Sequence, residues 1–130
     1  MSPKNRGLRI ALEVFLWALS AMLIVVFARA GWDKFNASSG WARAFDFWGY
    51  PVWFRILIGG LEIGAALLLV WPRTAAYGAA IIILVMVGGM GTHVFLEHRP
   101  SRATSELGQL VFASLVLAGR WRTRIKPWAR

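Results

Sequence analysis

The chain has 130 residues, 58% of them hydrophobic and only 16% charged, yet fifteen Lys and Arg against six Asp and Glu leave it at +9. Soluble domains carry nearer 25% charged residues, so the composition excludes a water-covered globule and points to a bilayer protein with cationic ends. The absence of cysteine excludes disulfides, thiol redox chemistry and iron–sulfur or thiolate–zinc centres, and two histidines among six carboxylates leave little for a metal or haem site, so neither is expected.

Crossing a hydrocarbon core of roughly 30 Å takes about 20 mostly apolar residues. The first such stretch covers about residues 8–28. Lys4, Arg6 and Arg9 before it, and Ala28-Arg29-Ala30 after it, have the outline of a cleaved signal peptide. The apolar run is longer than a signal core, Glu13 lies inside it, and Arg29 occupies the middle of the supposed cleavage site, so an uncleaved first span is expected. Glu13 follows Arg9 by one helical turn, which suits a local ion pair at the membrane surface.

Between the first two spans, Ser38 or Ser39 can cap a short helix from Gly40 to about Trp48. Trp41, Ala44, Phe45 and Trp48 fall on one stripe of it, with Arg43 and Asp46 elsewhere. Such a piece either lies in the outer leaflet as an interfacial anchor or forms a lid over the bundle.

The second span covers about 52–71 and contains Arg55 and, at its eleventh position, Glu62. A central charge costs roughly 2.5–3.5 kcal/mol on insertion scales, and each Leu, Ile, Phe or Val returns about 0.3–0.6 kcal/mol. The span therefore inserts comfortably only with Glu62 screened by neighbours or protonated. Arg55 and Glu62 share a face but stand about 10 Å apart along the axis. Gly60 and Gly64 flank Glu62 in the G-x-x-x-G spacing that lets another helix approach. Glu62 either hydrogen-bonds a neighbouring helix as bundle glue or handles a ligand or proton, and intramembrane carboxylates generally mark the latter.

The third span covers about 75–95, with small residues from Ala76 to Ala80 and a Gly88-Gly89-Met90-Gly91 run suited to close packing. His93 near its outer end can pair with Glu97 at i+4 and exchange a proton with a ligand there. The fourth span, about 105–121, is shorter and opens with Glu106 and Gln109. The tail that follows, 122–130, is basic with an interleaved Trp. On its own it has the look of a nucleic-acid patch, but directly after a span it is better read as a topology signal and anionic-lipid anchor, and no nucleic-acid partner is expected.

Nine basic residues (Lys4, Arg6, Arg9, Arg73, Arg120, Arg122, Arg124, Lys126 and Arg130) fall on one side of this four-span plan, against five (Arg29, Lys34, Arg43, Arg99 and Arg102) on the other. The positive-inside rule then puts both termini in the cytoplasm. Trp53, Trp71, Trp121 and Trp128 fall where an aromatic belt would. The expected architecture is all-α: one integral membrane four-helix bundle spanning residues 1–130, with a short amphipathic interfacial helix between helices 1 and 2.

Arg29-Ala-Gly31-Trp-Asp-Lys34-Phe35, Phe47-Trp-Gly49-Tyr-Pro51, Gly60-Leu-Glu62-Ile-Gly64 and Arg73, in that order, resemble the DoxX/DoxD-like family of small four-helix membrane proteins over roughly residues 10–98. The resemblance implies a bacterial-type inner (plasma) membrane location. Some members are similar to a subunit of a thiosulfate:quinone oxidoreductase, others are associated with redox partners, and many have no assigned activity. Carried onto this chain, the family's characteristic positions are Arg29, Gly31, Lys34, Gly49, Pro51, Glu62 and Gly64. With no cysteine, any sulfur chemistry would have to proceed without a protein thiol here.

Two functions follow as expectations. In one, a redox-associated subunit binds a quinone or small anion near the outer face, with Glu62 and His93 handling protons and Arg29, Lys34, Arg55 and Glu62 binding the ligand. In the other, a non-catalytic accessory subunit packs against a larger membrane complex, with other membrane or redox subunits as partners. A chain without a cofactor ligand needs a partner or a bound quinone to carry electrons.

Overall fold

The structure, a computed structural model, describes residues 2–127; Trp128 and Arg130, expected at the belt and in the basic tail, lie outside them. Helix α1 runs Pro3–Lys34, α2 Gly40–Trp48, α3 Val52–Leu69, α4 Ala75–Gly91 and α5 Thr104–Arg120, with no strand among the described residues. Three helical segments are long and apolar enough to cross a membrane: Pro3–Lys34, Val52–Leu69 and Ala75–Leu96. The chain is an all-α membrane protein. Helix α5, at 17 residues, is shorter than these three.

Helix α1 extends beyond its apolar run at both ends. Ser2 caps it through a hydrogen bond from the Asn5 amide and Pro3 opens its first turn. At the far end, the carbonyls of Lys34, the last residue of the helix, and of Asn36 are taken up by Arg55, as described below. The helix is thus about 48 Å long at 1.5 Å per residue, well over the hydrocarbon thickness, because hydrogen-bonded caps rather than hydropathy set where it stops. Helix α2 begins at Ser39, whose hydroxyl accepts from the Ala42 amide, and ends at Gly49, whose φ of +84° allows the Tyr50 amide to reach back to the Phe45 carbonyl.

Helices α1 and α4 each pack against both α3 and α5, around a core that includes Leu23, Phe27, Leu69, Ile82 and Val116. Ala65, Ala75, Ala79 and Ala113 within it keep the helices close. The closest approach joins α1 and α3. A Cβ on Gly31 would stand 2.7 Å from the Gly59 carbonyl oxygen, and one on Gly59 would stand 2.9 Å from that of Gly31. Gly60 and Gly64, expected to serve this purpose, have nothing within 4 Å on that side, since a single-residue step turns a side chain about 100° around the helix. In the Gly88–Gly91 run, Gly89 faces the Glu106 side chain at 3.3 Å, whereas Gly88 and Gly91 meet nothing within 4 Å.

Helix α4 continues into a π-helical turn, Thr92–Leu96, followed by a 3₁₀ segment, Pro100–Ala103, that leads into α5. At one end of the molecule, the Ile125 amide bonds the Arg73 carbonyl and Arg120 pairs with Glu13 at 2.7 Å, so Glu13 finds a partner on α5. Glu97, α2 and the C-terminus of α1 gather at the other end.

Candidate functional site

The close crossing of α1 and α3 sets up the site. The two helices run antiparallel there: Arg55 meets residues 34 and 36, Gly59 meets Gly31 and Lys34, and Ile63 meets Gly31. Helical side chains lean toward their own N-terminus, so Lys34 and Glu62 lean toward each other. Lys34 Nζ lies 2.8 Å from Glu62 Oε1, and both side chains are buried, 3% and 2% exposed. The ammonium also sits 3.7 Å from the centre of the Trp41 ring. Glu62 Oε2 is buried without a hydrogen-bond partner, leaving this carboxylate with acceptor capacity in reserve.

Arg55 is buried as well, but its guanidinium donates to the carbonyls of Lys34 and Asn36 at 3.0 and 3.2 Å. It ties down the end of α1 and thereby the backbone of Lys34. Arg29 is exposed on α1. Of the residues expected to bind a ligand, then, Lys34 and Glu62 come together, Arg55 supports Lys34 from behind, and Arg29 stands apart from them.

His93 lies in the π-helical turn, a distortion frequent at functional sites. Its Nδ1 is 3.0 Å from Glu97 Oε2 and its Nε2 is 3.1 Å from Glu106 Oε1. Glu97 also accepts from the Trp48 indole at 2.6 Å and from Arg102 at 3.4 Å. Hydrogen bonds from His93 and then Trp48 hold its carboxyl below the usual glutamate range. Glu106 accepts from Ser105 through its other oxygen. Thr92 donates to the Gly88 carbonyl, so in the 2.7 Å contact between Tyr50 and Thr92 the tyrosine hydroxyl is the donor.

Both acid–base groups border one cavity of about 370 Å³. Its walls are mostly apolar, and its polar groups include Lys34, Glu62, His93, Glu106 and Gln109. Trp41, Phe45 and Trp48 line it from α2, so the aromatic stripe faces the cavity. Glu106 was visible in the sequence only as a polar residue weakening the fourth span; its role depends on a neighbour thirteen residues earlier, across a loop with no regular period.

A DoxX-like family profile matches residues 18–119, most of the chain. The chain belongs to the DoxX-like family. This DoxX-like protein is 35% identical over 86 residues to the uncharacterized protein YwoB of Bacillus subtilis (strain 168), an alignment covering 65% of this chain and 56% of that protein. It is 42% identical over 50 residues to the uncharacterized protein YdgD of the same organism, covering 35% of this chain and 44% of that one. The chain thus spans about half the length of these curated relatives. No solved structure matches this DoxX-like chain.

Proposed function

We propose that this DoxX-like protein is a redox-associated membrane subunit that binds a quinone-type ring in the cavity beneath α2. The observation that carries this reading is an apolar, aromatic-roofed cavity bordered by two separate acid–base groups, Lys34–Glu62 and His93–Glu106. Its volume lies in the range of small-molecule sites, which pair apolar walls with a few polar groups. A bound quinone would supply the electron-accepting chemistry. The chain's own part is to orient the ring against Trp41 and Trp48, to exclude water, and to hold protons at Glu62 and His93.

A neutral ring suits the cavity better than a small anion. The charge of Lys34 is matched by Glu62, Arg55 donates through Nη1 to two carbonyls and does not border the cavity, and Glu106 adds a carboxyl group to the wall. We place the site near the outer face, with α5 as the fourth span and both termini cytoplasmic. At 17 residues α5 is about 26 Å long, close to the hydrocarbon thickness.

The accessory reading draws on a different observation: the Gly60 and Gly64 face of α3 is open, as a docking face for a helix of another subunit would be. Native mass spectrometry of gently solubilised membranes separates the two. A bound quinone is expected with the wild-type chain, reduced by about tenfold or more, some 1.4 kcal/mol, in Lys34→Met/Glu62→Gln, which removes the ion pair without leaving a lone charge. A stoichiometric protein partner with no small ligand would replace the quinone reading by the accessory one.

A further inference from the structure

Beside the cavity, on the outer side of α2, lies a shallow open crevice bordered by Asp33, Ser39, Glu97 and Arg102. Trp41, Trp48 and His93 border both spaces, and of these three only His93 titrates. Its two ring nitrogens point to different carboxylates, Glu97 on the crevice side and Glu106 on the cavity side. A neutral imidazole has one donor and one acceptor nitrogen. Set between two ionised carboxylates, it would turn a lone pair toward an anionic oxygen. One further proton shared among Glu97, His93 and Glu106 lets both ring nitrogens hydrogen-bond at once.

We infer that Glu97, His93 and Glu106 form a proton relay between the crevice and the cavity, so that protons exchanged in the cavity come from and return to the face bearing Glu97. Each transfer balances. With the further proton on Glu97 and the ring protonated at Nε2, the Glu97 proton passes to Nδ1 and the Nε2 proton moves to Glu106 Oε1, and release into the cavity is matched by uptake of a proton at Glu97. A ring flip or the reverse passage restores the starting tautomer. Trp48 and Arg102 hold Glu97 in line, and Ser105 holds Glu106. The charged groups facing His93 from the surrounding elements are these two carboxylates and Arg102, with Asp33 across the crevice and Lys34 and Glu62 across the cavity. The relay is a property of the chain; its service to a ligand rests on the quinone reading.

The test uses the whole chain in lipid nanodiscs with ¹⁵N-labelled histidine. Only His93 and His98 contribute, and H98N leaves His93 alone. Transfer of magnetisation from water to the His93 ring protons is expected in the wild type. It should fall about tenfold or more in Glu97→Gln, the scale on which a positioned acid–base group acts, and recover in part in Glu97→Asp. In Glu106→Gln, exchange with water at Nδ1 should persist while the ring settles into one tautomer. Unchanged exchange in Glu97→Gln overturns the relay. A second measurement follows binding of a short-chain ubiquinol to the same samples. A relay seen by NMR with no quinol bound sinks the ligand reading and leaves the relay standing; quinol binding with exchange indifferent to Glu97 does the opposite.

Discussion

At the residue scale, the molecule solves the problem of Glu62 by supplying a partner. A carboxylate alone in the bilayer is costly; joined to Lys34 at 2.8 Å, its charge is matched, though both groups remain desolvated. Removing one member of such a pair leaves an uncompensated buried charge, which typically costs about 3–5 kcal/mol, whereas replacing both with apolar groups of similar size is often neutral. Lys34→Met is therefore expected to destabilise the chain by about that amount, and Lys34→Met/Glu62→Leu to recover most of it. Denaturant unfolding in mixed micelles measures the cycle, and additive losses in the double variant would contradict a coupled pair. The partnership was hidden in the sequence. His93 and Glu97 are legible as a pair because helical periodicity joins i and i+4, but nothing periodic joins Lys34 to Glu62, which lie on different helices and meet only through a crossing point. The sequence pattern accordingly gathered Arg29, Lys34 and Arg55 into one basic group, while the fold sends the three to a free surface, an ion pair and a helix end.

At the element scale, that crossing point is the determinant. The helices themselves were legible, since long apolar runs and a serine cap at Ser38 or Ser39 mark them, and α2 proved to span the residues its aromatic stripe suggested. Which glycines touch was less so. Gly59 and Gly60 are adjacent, and a G-x-x-x-G spacing selects the second, but the contact falls on the first because the facing helix offers Gly31 at that height. Gly31→Ala would push a methyl group against backbone, which cannot swing aside as a side chain can, so α1 and α3 must part. Overpacking of this kind costs about 1–3 kcal/mol, and the added separation acts directly on the Lys34–Glu62 contact one turn away. Gly60→Ala meets open space and replaces a poor helix former, a change worth about 1 kcal/mol in favour of the helix. Thermal unfolding should rank Gly60→Ala at or above wild type and Gly31→Ala clearly below it. The opposite order would mean that the close crossing does not govern stability.

At the scale of the whole molecule, the basic residues from which orientation was read fall at the two ends of the bundle. Lys4, Arg6, Arg9, Arg73, Arg122 and Lys126 stand at the end where Glu13 meets Arg120. At the other end, Lys34 is buried and paired, Arg55 is buried on carbonyls, and Arg102 is engaged with Glu97. The positive-inside rule counts lysines and arginines near the spans whatever their pairing, so the expectation of cytoplasmic termini rests on that count and not on which of them are paired. The absence of cysteine makes this directly measurable, because each introduced cysteine reports without background. Single cysteines at the exposed positions Asn5, Ser38, Ser101 and Thr123 flank α1, the α3–α4 pair and α5. A membrane-impermeant maleimide applied to intact cells is expected to label Ser38→Cys and Ser101→Cys, and to reach Asn5→Cys and Thr123→Cys only after permeabilisation. The inverse pattern would reverse the orientation and turn the His93 relay toward the cytoplasm. Labelling of Ser101→Cys and Thr123→Cys from the same side would show that α5 does not cross, leaving three spans and a cavity closed on one flank by a helix that lies outside the hydrocarbon.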